Sequence, residues 1–188
     1  MVRRLSAREW AGLLACAAIV ALVGLYWHGR QWVPTAPALH DGPVYQNDRE
    51  GFRFLVPDGW TQDASGVIPP GTVEQEQMIV EYKLLTSDRP AALLVTCVDL
   101  PRGLYLHEYL RSHSPKPAAW RALGESDVLT INGVEAMRVT LRNGDATREA
   151  AAFRRGERVY LFTGEFETAD TKAQQQIRRA VDSVIWKN

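Results

Sequence analysis

Cysteine is nearly absent from this chain of 188 residues: there are two, Cys16 and Cys97. Cys16 sits inside an apolar run near the N-terminus, and Cys97 is alone in everything that follows. That excludes a disulfide within the folded part, and two cysteines so far apart cannot form a zinc site by themselves. Net charge is lacking too, with 22 basic and 22 acidic side chains. The first thirty residues hold four of the basic ones (Arg3, Arg4, Arg8, Arg30) and one acidic (Glu9), leaving 18 against 21, a net of −3, for the remainder. A mildly acidic domain without a basic stripe argues against nucleic acid as a partner. No Gly-x-Gly or Gly-Lys-Ser/Thr loop is present to cradle phosphate, and no Gly-x-Ser-x-Gly elbow to carry a nucleophile. Internal repeats and low-complexity tracts are also missing.

What the chain does have is a stretch of eighteen residues without a formal charge, Trp10 to Trp27. At about 1.5 Å per residue a helix of that length reaches roughly 27 Å, close to a hydrocarbon core of about 30 Å. Trp10 at one end and Tyr26 and Trp27 at the other fit aromatic belts at the two interfaces. Arg3, Arg4 and Arg8 precede the run, and the positive-inside rule then leaves residues 1–9 as a cytoplasmic tail and the C-terminal domain outside the cytoplasm. Four rival readings are weaker. Ala36-Pro37-Ala38, the nearest signal-peptidase-like site, lies well past the run with proline at its centre. Leu13-Leu14-Ala15-Cys16 resembles a lipobox, yet eleven apolar residues continue beyond Cys16. Arg3-Arg4 does not continue into a twin-arginine motif, and a buried core helix would need a polar face that Ala11 to Tyr26 lacks. The expectation is an uncleaved single-pass anchor over residues 10–27. Small residues at Ala11, Ala15 and Ala18, with Ala17 and Ala21, offer a face on which such helices pack.

Residues 28–50, with Pro34, Pro37, Pro43, Gly29 and Gly42, read as a linker, and residues 51–188 as the folded domain. Phe52 to Val56 predicts a short strand, Pro57-Asp58-Gly59 a turn, and Trp60 to Asp63 the start of a return strand. Met78 to Leu85 and Ala91 to Asp99 are further strands. The second is apolar in both alternating sets, which predicts a central strand covered on both faces. Leu104 to His113 has helical spacing, with Leu106, Tyr109 and Leu110 on one face and Pro115 and Pro117 ending it. Asn132-Gly133 marks a hairpin between Asp127–Ile131 and Val134–Arg142. Thr147–Arg154 and Arg158–Phe166 flank a second turn at Arg155-Gly156-Glu157. Thr171 to Trp186 reads as an amphipathic helix through Ala173, Ile177, Ala180, Val181 and Val184, with Arg178 and Asp182 as a supporting pair. The order predicts an α+β domain, one antiparallel β-sheet flanked by helices.

Gly51-Phe52-Arg53-Phe54-Leu55-Val56-Pro57-Asp58-Gly59-Trp60 resembles the opening G-F-x-F-x-x-P-x-x-W of PsbP-like domains, a fold also seen in DcrB-type bacterial envelope proteins. Ile131-Asn132-Gly133-Val134-Glu135-Ala136 is similar to their x-N-G-x-x-A hairpin. Val159-Tyr160-Leu161-Phe162-Thr163, then a helix closing on Asp182-Ser183-Val184, is similar to their ending. The resemblance spans about residues 50–187 and implies an α/β/α sandwich. Members of this fold are mostly non-enzymatic: extrinsic photosystem subunits, envelope proteins and a nuclear-import factor. No binding residue carries over, because the matched positions are core and turn residues.

The candidates for chemistry are few. His107-Glu108 begins a His-Glu-x-x-His, but position 111 is arginine and His113 lies roughly 120° around the helix from His107. His40 adds no ligand spacing. Cys97, on a strand apolar on both faces, reads as a buried structural thiol whose pKa burial raises. Glu74, Glu76 and Glu81 suggest a cation site or acid/base pair without the Asp/Asn-Gly loop of a calcium site, so an exposed, solubilising edge is the simpler reading. Arg154, Arg155 and Arg158 crowd a hairpin and read first as a solvated turn, second as contacts to lipid head groups or an acidic partner. Trp60, Trp120 and Trp186 read as core or sheet-edge residues. The chain is thus expected to carry no catalytic, cofactor or metal site. It reads as a membrane-anchored extracytoplasmic module whose partners are the bilayer, through residues 10–27, and a protein or small ligand. The alternatives are a subunit of a membrane complex recruited through the anchor, or a hydrolase with no recognisable motif.

Overall fold

Asn132 and Gly133 both adopt positive φ, 48° and 81°, the backbone that a tight hairpin turn demands and that Asn-Gly tolerates best. They join β7 (Asp127–Ile131) to β8 (Val134–Asn143) in register, Ile131 facing Val134. The computed structural model describes residues 42–85, 89–112 and 120–187. The expected tail and anchor, most of the expected linker, His40, His113, Pro115 and Pro117 lie outside the described residues. Among the described residues no helix is long and apolar enough to cross a membrane.

The strands form two antiparallel sheets rather than the single one expected. A small sheet has the order β1-β2-β11, from β1 (Val44–Asn47), β2 (Phe52–Leu55) and β11 (Ile185–Trp186). The large sheet runs β3-β4-β5-β10-β9-β8-β6, with β7 pairing β8 beside β6. Its remaining members are β3 (Thr61–Ser65), β4 (Gln77–Leu84), β5 (Ala91–Asp99), β6 (Arg121–Ala122), β9 (Ala146–Arg155) and β10 (Arg158–Glu167). Two short helices, α1 (Leu106–Ser112) and α2 (Thr171–Asp182), complete the described elements.

The small sheet exists because β2 alternates. Phe52 and Phe54 are buried while Arg53 between them points outward. Both rings pack edge-on against Phe162 of β10, at centroid distances of 6.0 and 5.3 Å. β3 therefore does not return alongside β2; after the Pro57-Asp58-Gly59 turn it crosses to the edge of the large sheet and pairs β4. Two further expectations are corrected here. β1 lies within the stretch read as linker, paired Val44 to Leu55 and Asn47 to Phe52. And α2 ends at Asp182, not Trp186. Ser183 stops it: its hydroxyl donates to Ala180 O at 2.7 Å and accepts from Leu55 N at 2.8 Å. Ile185 and Trp186 are thereby left to pair with Arg53 and Phe52. The described residues all fall in one compact unit, Ala38–Asn188, so the domain starts before residue 51.

Two cores result. The first lies between the large sheet, the small sheet and α2, and takes in Phe52, Phe54, Leu93, Val95, Cys97, Phe153, Phe162 and Ile177. The second lies on the opposite face under α1, with Val98, Leu100, Tyr109, Leu110, Val139, Ala152 and Leu161. β5 is thus covered on both faces as its sequence predicts, although Ala92 and Leu94 are only half-buried. The seat of α2 is Gly164, where a Cβ would stand 2.5 Å from Ile177 Cγ2. Asp170 caps the helix, its carboxylate accepting from Ala173 N at 2.9 Å.

Candidate functional site

The densest polar chemistry gathers where the β1–β2 turn, the end of β5 and the start of β10 meet. Glu50 ends the β1–β2 turn with its side chain 5 % exposed. Burying a carboxylate there is tolerated because it is fully partnered. Tyr160 Oη donates to Glu50 Oε2 at 2.9 Å, and Arg158 Nη1 donates to the same oxygen at 3.2 Å. Arg158 turns the rest of its fork to Asp99, Nε to Oδ1 at 2.8 Å and Nη2 to Oδ2 at 2.9 Å, a bidentate pair. Nη2 also donates to Gly71 O at 3.0 Å, and Asp99 Oδ2 accepts from Val73 N at 2.7 Å. The network ties residues 71–73 to β5, β10 and the β1–β2 turn. Above it lies an open recess of about 570 Å³, rimmed by Arg49, Pro69, Pro70 and Glu157.

The electrostatics follow from these contacts. The Arg158 guanidinium holds the Asp99 carboxyl below its usual range, against a smaller opposing effect of burial. Asp99 and Glu50 together push Arg158 further up. Burial, reinforced by Glu50, raises the Tyr160 phenol. Cys97, buried on β5, is pushed up to about 11, mainly by burial and then by the Glu50 charge. At neutral pH the site is therefore an ionised Arg158–Asp99 pair beside a neutral phenol and a neutral thiol. Such a set holds chain segments together; it offers neither an ionised nucleophile nor an unpaired base.

A second recess, of about 460 Å³, opens beside α1 and is lined by Tyr105, His107, Glu135 and Arg154 among others. His107 packs near Tyr105, at 5.7 Å between rings, and its ion-pair contact is the adjoining Glu108 at 4.0 Å. Among the described residues, no three His, Cys, Asp or Glu side chains are grouped so as to hold a metal ion.

The remaining sequence candidates disperse. Glu74 is exposed; Glu76 accepts from the Thr96 hydroxyl, and burial, reinforced by Glu76, holds the Tyr109 phenol above its ordinary value. Glu81 sits 3.2 Å from Lys83. The three glutamates thus form no common site. The arginine-rich hairpin is not simply a solvated turn. Arg154 donates to Pro101 O and Leu104 O, at 3.2 and 2.9 Å. Arg155 donates to Lys187 O at 3.1 Å and lies over the Trp186 ring. Each arginine fastens a neighbouring segment. Trp60 and Trp186 are core residues, and Trp120 is half-buried beneath the Arg148 guanidinium at 4.4 Å.

Glu50, Asp99 and Tyr160 escape sequence reasoning. Glu50 falls in the stretch read as linker, and its signal is the pair Val44-Tyr45 ahead of Asn47 and Gly51, a hairpin arm facing Phe52–Leu55.

Two antiparallel sheets and two helices around these cores define a PsbP-like α+β fold. The chain is similar to the solution structure of cyanobacterial PsbP (CyanoP) from Synechocystis sp. PCC 6803. The TM-score is 0.52 at 14% identity, over 77% of this chain and 92% of that one. It is also similar to PA94, a protein of unknown function from Pseudomonas aeruginosa, with a TM-score of 0.48 at 14% identity over 78% and 97% of the two chains. No family model and no curated protein sequence matches the chain.

Proposed function

We propose that this protein is a membrane-tethered accessory module: a PsbP-like domain held outside the cytoplasm by a single helix over residues 10–27, where it binds a partner without catalysing a reaction. The observation that carries the non-catalytic half is the state of the groups that could do chemistry. Arg158 is taken up by Asp99, Glu50 and Gly71 O. Tyr160 is bound to Glu50, and Cys97 is a buried thiol with a raised pKa. The tether rests on the uncharged run and the arginines ahead of it.

Cross-linking in membranes, with and without residues 1–30, tests the reading. Partners retained without those residues assign binding to the domain; partners lost assign it to the helix, and the protein is then a subunit recruited by its anchor. A reporter fused after Asn188 should be active outside the cytoplasm, and activity inside refutes the orientation. A mature chain starting near Asp41 refutes the uncleaved anchor.

A further inference from the structure

We infer that Arg121 and Arg142 form a binding site for a phosphate oxyanion at the edge of the large sheet. β6 is only two residues long, and it pairs Arg121 directly opposite Arg142 of β8. Side chains so opposed leave the same face with Cβ atoms about 4.5–5.5 Å apart, and like charges there destabilise the pair. Both side chains are exposed. Several other arginines are each met by a carboxylate: Arg158 has Asp99, Arg178 has Glu149, Arg138 has Asp182 and Arg179 has Asp58. Among the described residues neither Arg121 nor Arg142 meets a carboxylate, a carbonyl or a ring, and neither has an interaction beyond those described.

The neighbours on that face do not supply the missing anion. Thr147, opposite Arg142 on β9, is buried with its hydroxyl 2.8 Å from that of Thr168. Glu149, one row along, is held by Arg178 Nη2 at 2.6 Å and by Gln174. Two planar guanidinium forks side by side match an oxyanion with three or more oxygens, since each can donate a parallel pair of hydrogen bonds. An anion between them turns the repulsion into attraction. Phosphate satisfies this whether it is a lipid headgroup or a free phosphate. The site lies apart from the Glu50–Arg158 recess and does not depend on the membrane reading.

The test is calorimetric titration of the full-length chain in neutral detergent with inorganic phosphate, at ionic strength matched with chloride. Saturable binding is expected, weakened about tenfold or more in Arg121→Gln and Arg142→Gln. Arg53→Gln, which removes an exposed arginine on β2, should bind as the parent does. Without phosphate the Arg121→Gln and Arg142→Gln variants should melt at or above the parent, because the repulsion is gone. No saturable binding, equal weakening in Arg53→Gln, or melting of both site variants well below the parent overturns the proposal. Repeating the titration in phosphatidylglycerol nanodiscs assigns the source. Suppressed phosphate binding there indicates headgroup occupancy, and unchanged binding indicates free phosphate.

Discussion

Arg158 shows how one side chain can decide the stability of a whole corner of the molecule. Its fork serves Asp99, Glu50 and Gly71 O together, so truncating it strands two carboxylates, one of them almost fully buried. Arg158→Ala is expected to cost about 3 kcal/mol in urea unfolding, because leaving a buried charge unpaired is far more damaging than removing a surface pair. Glu50→Gln, which keeps an acceptor for Tyr160 and Arg158, should cost clearly less; equal losses would show that packing and not charge sets the effect. The same corner fixes the pH range. Asp99 is depressed below its ordinary 3.8 by Arg158, so its contribution is present above about pH 4 and is lost as pH falls through the lower folded value. Cys97 moves the other way, from 9.0 to about 11. Its contribution is complete below pH 9 and is lost as pH rises from 9 towards 11. Stability should therefore fall between pH 9 and 10, and Cys97→Ala should flatten that slope whatever it does to the absolute value. A slope unchanged by the substitution places the alkaline transition elsewhere.

At the scale of elements, α2 fits closely on β10. A Cβ at position 164 would stand 2.5, 2.7 and 3.1 Å from three Ile177 side-chain atoms, and Ile177 is fully buried. Gly164→Ala should destabilise by about 2 kcal/mol through overpacking. Combining it with Ile177→Ala should recover part of the sum, measurable as a coupling energy in a double-mutant cycle; strict additivity would mean that α2 shifts freely over the sheet. Legibility in the sequence divides along the same line. β5, β8, β9, β10 and the Asn132-Gly133 turn are readable because their residue pattern and their surroundings agree. β5 is the clearest, apolar on both sides and sandwiched by two cores. Three features are not readable, each because a distant partner overrides the local pattern. Val44–Asn47 is a strand because Phe52–Leu55 offers it an edge. Ile185–Trp186 leaves the helical pattern because Ser183 binds Leu55 N and Phe52 supplies a pairing edge. The Glu50–Arg158–Asp99 network spans residues 50 to 158, and no spacing along the chain encodes it.

Across the whole molecule the two cores share their strands. Cys97 and Val98 are neighbours on β5 yet belong to opposite cores, as do Phe153 and Ala152 on β9 and Phe162 and Leu161 on β10. Neither face can lose its packing while those strands stay fixed for the other, so the domain should unfold in one cooperative step. Leu110 puts this to the test from the smaller core, where it is a buried residue of α1 packed on the face opposite α2. Leu110→Ala is expected to cost about 3 kcal/mol, the usual range for a buried leucine that leaves a cavity. The loss should appear equally in far-ultraviolet dichroism, which follows the sheets, and in tryptophan fluorescence, to which Trp60 and Trp186 in the other core contribute. Coincident shifts establish that the cores are one unit. A fluorescence midpoint that stays in place while the dichroism splits into two steps would make α1 and its face an independently melting layer, and the covering of β5 on both sides would then not be what couples them.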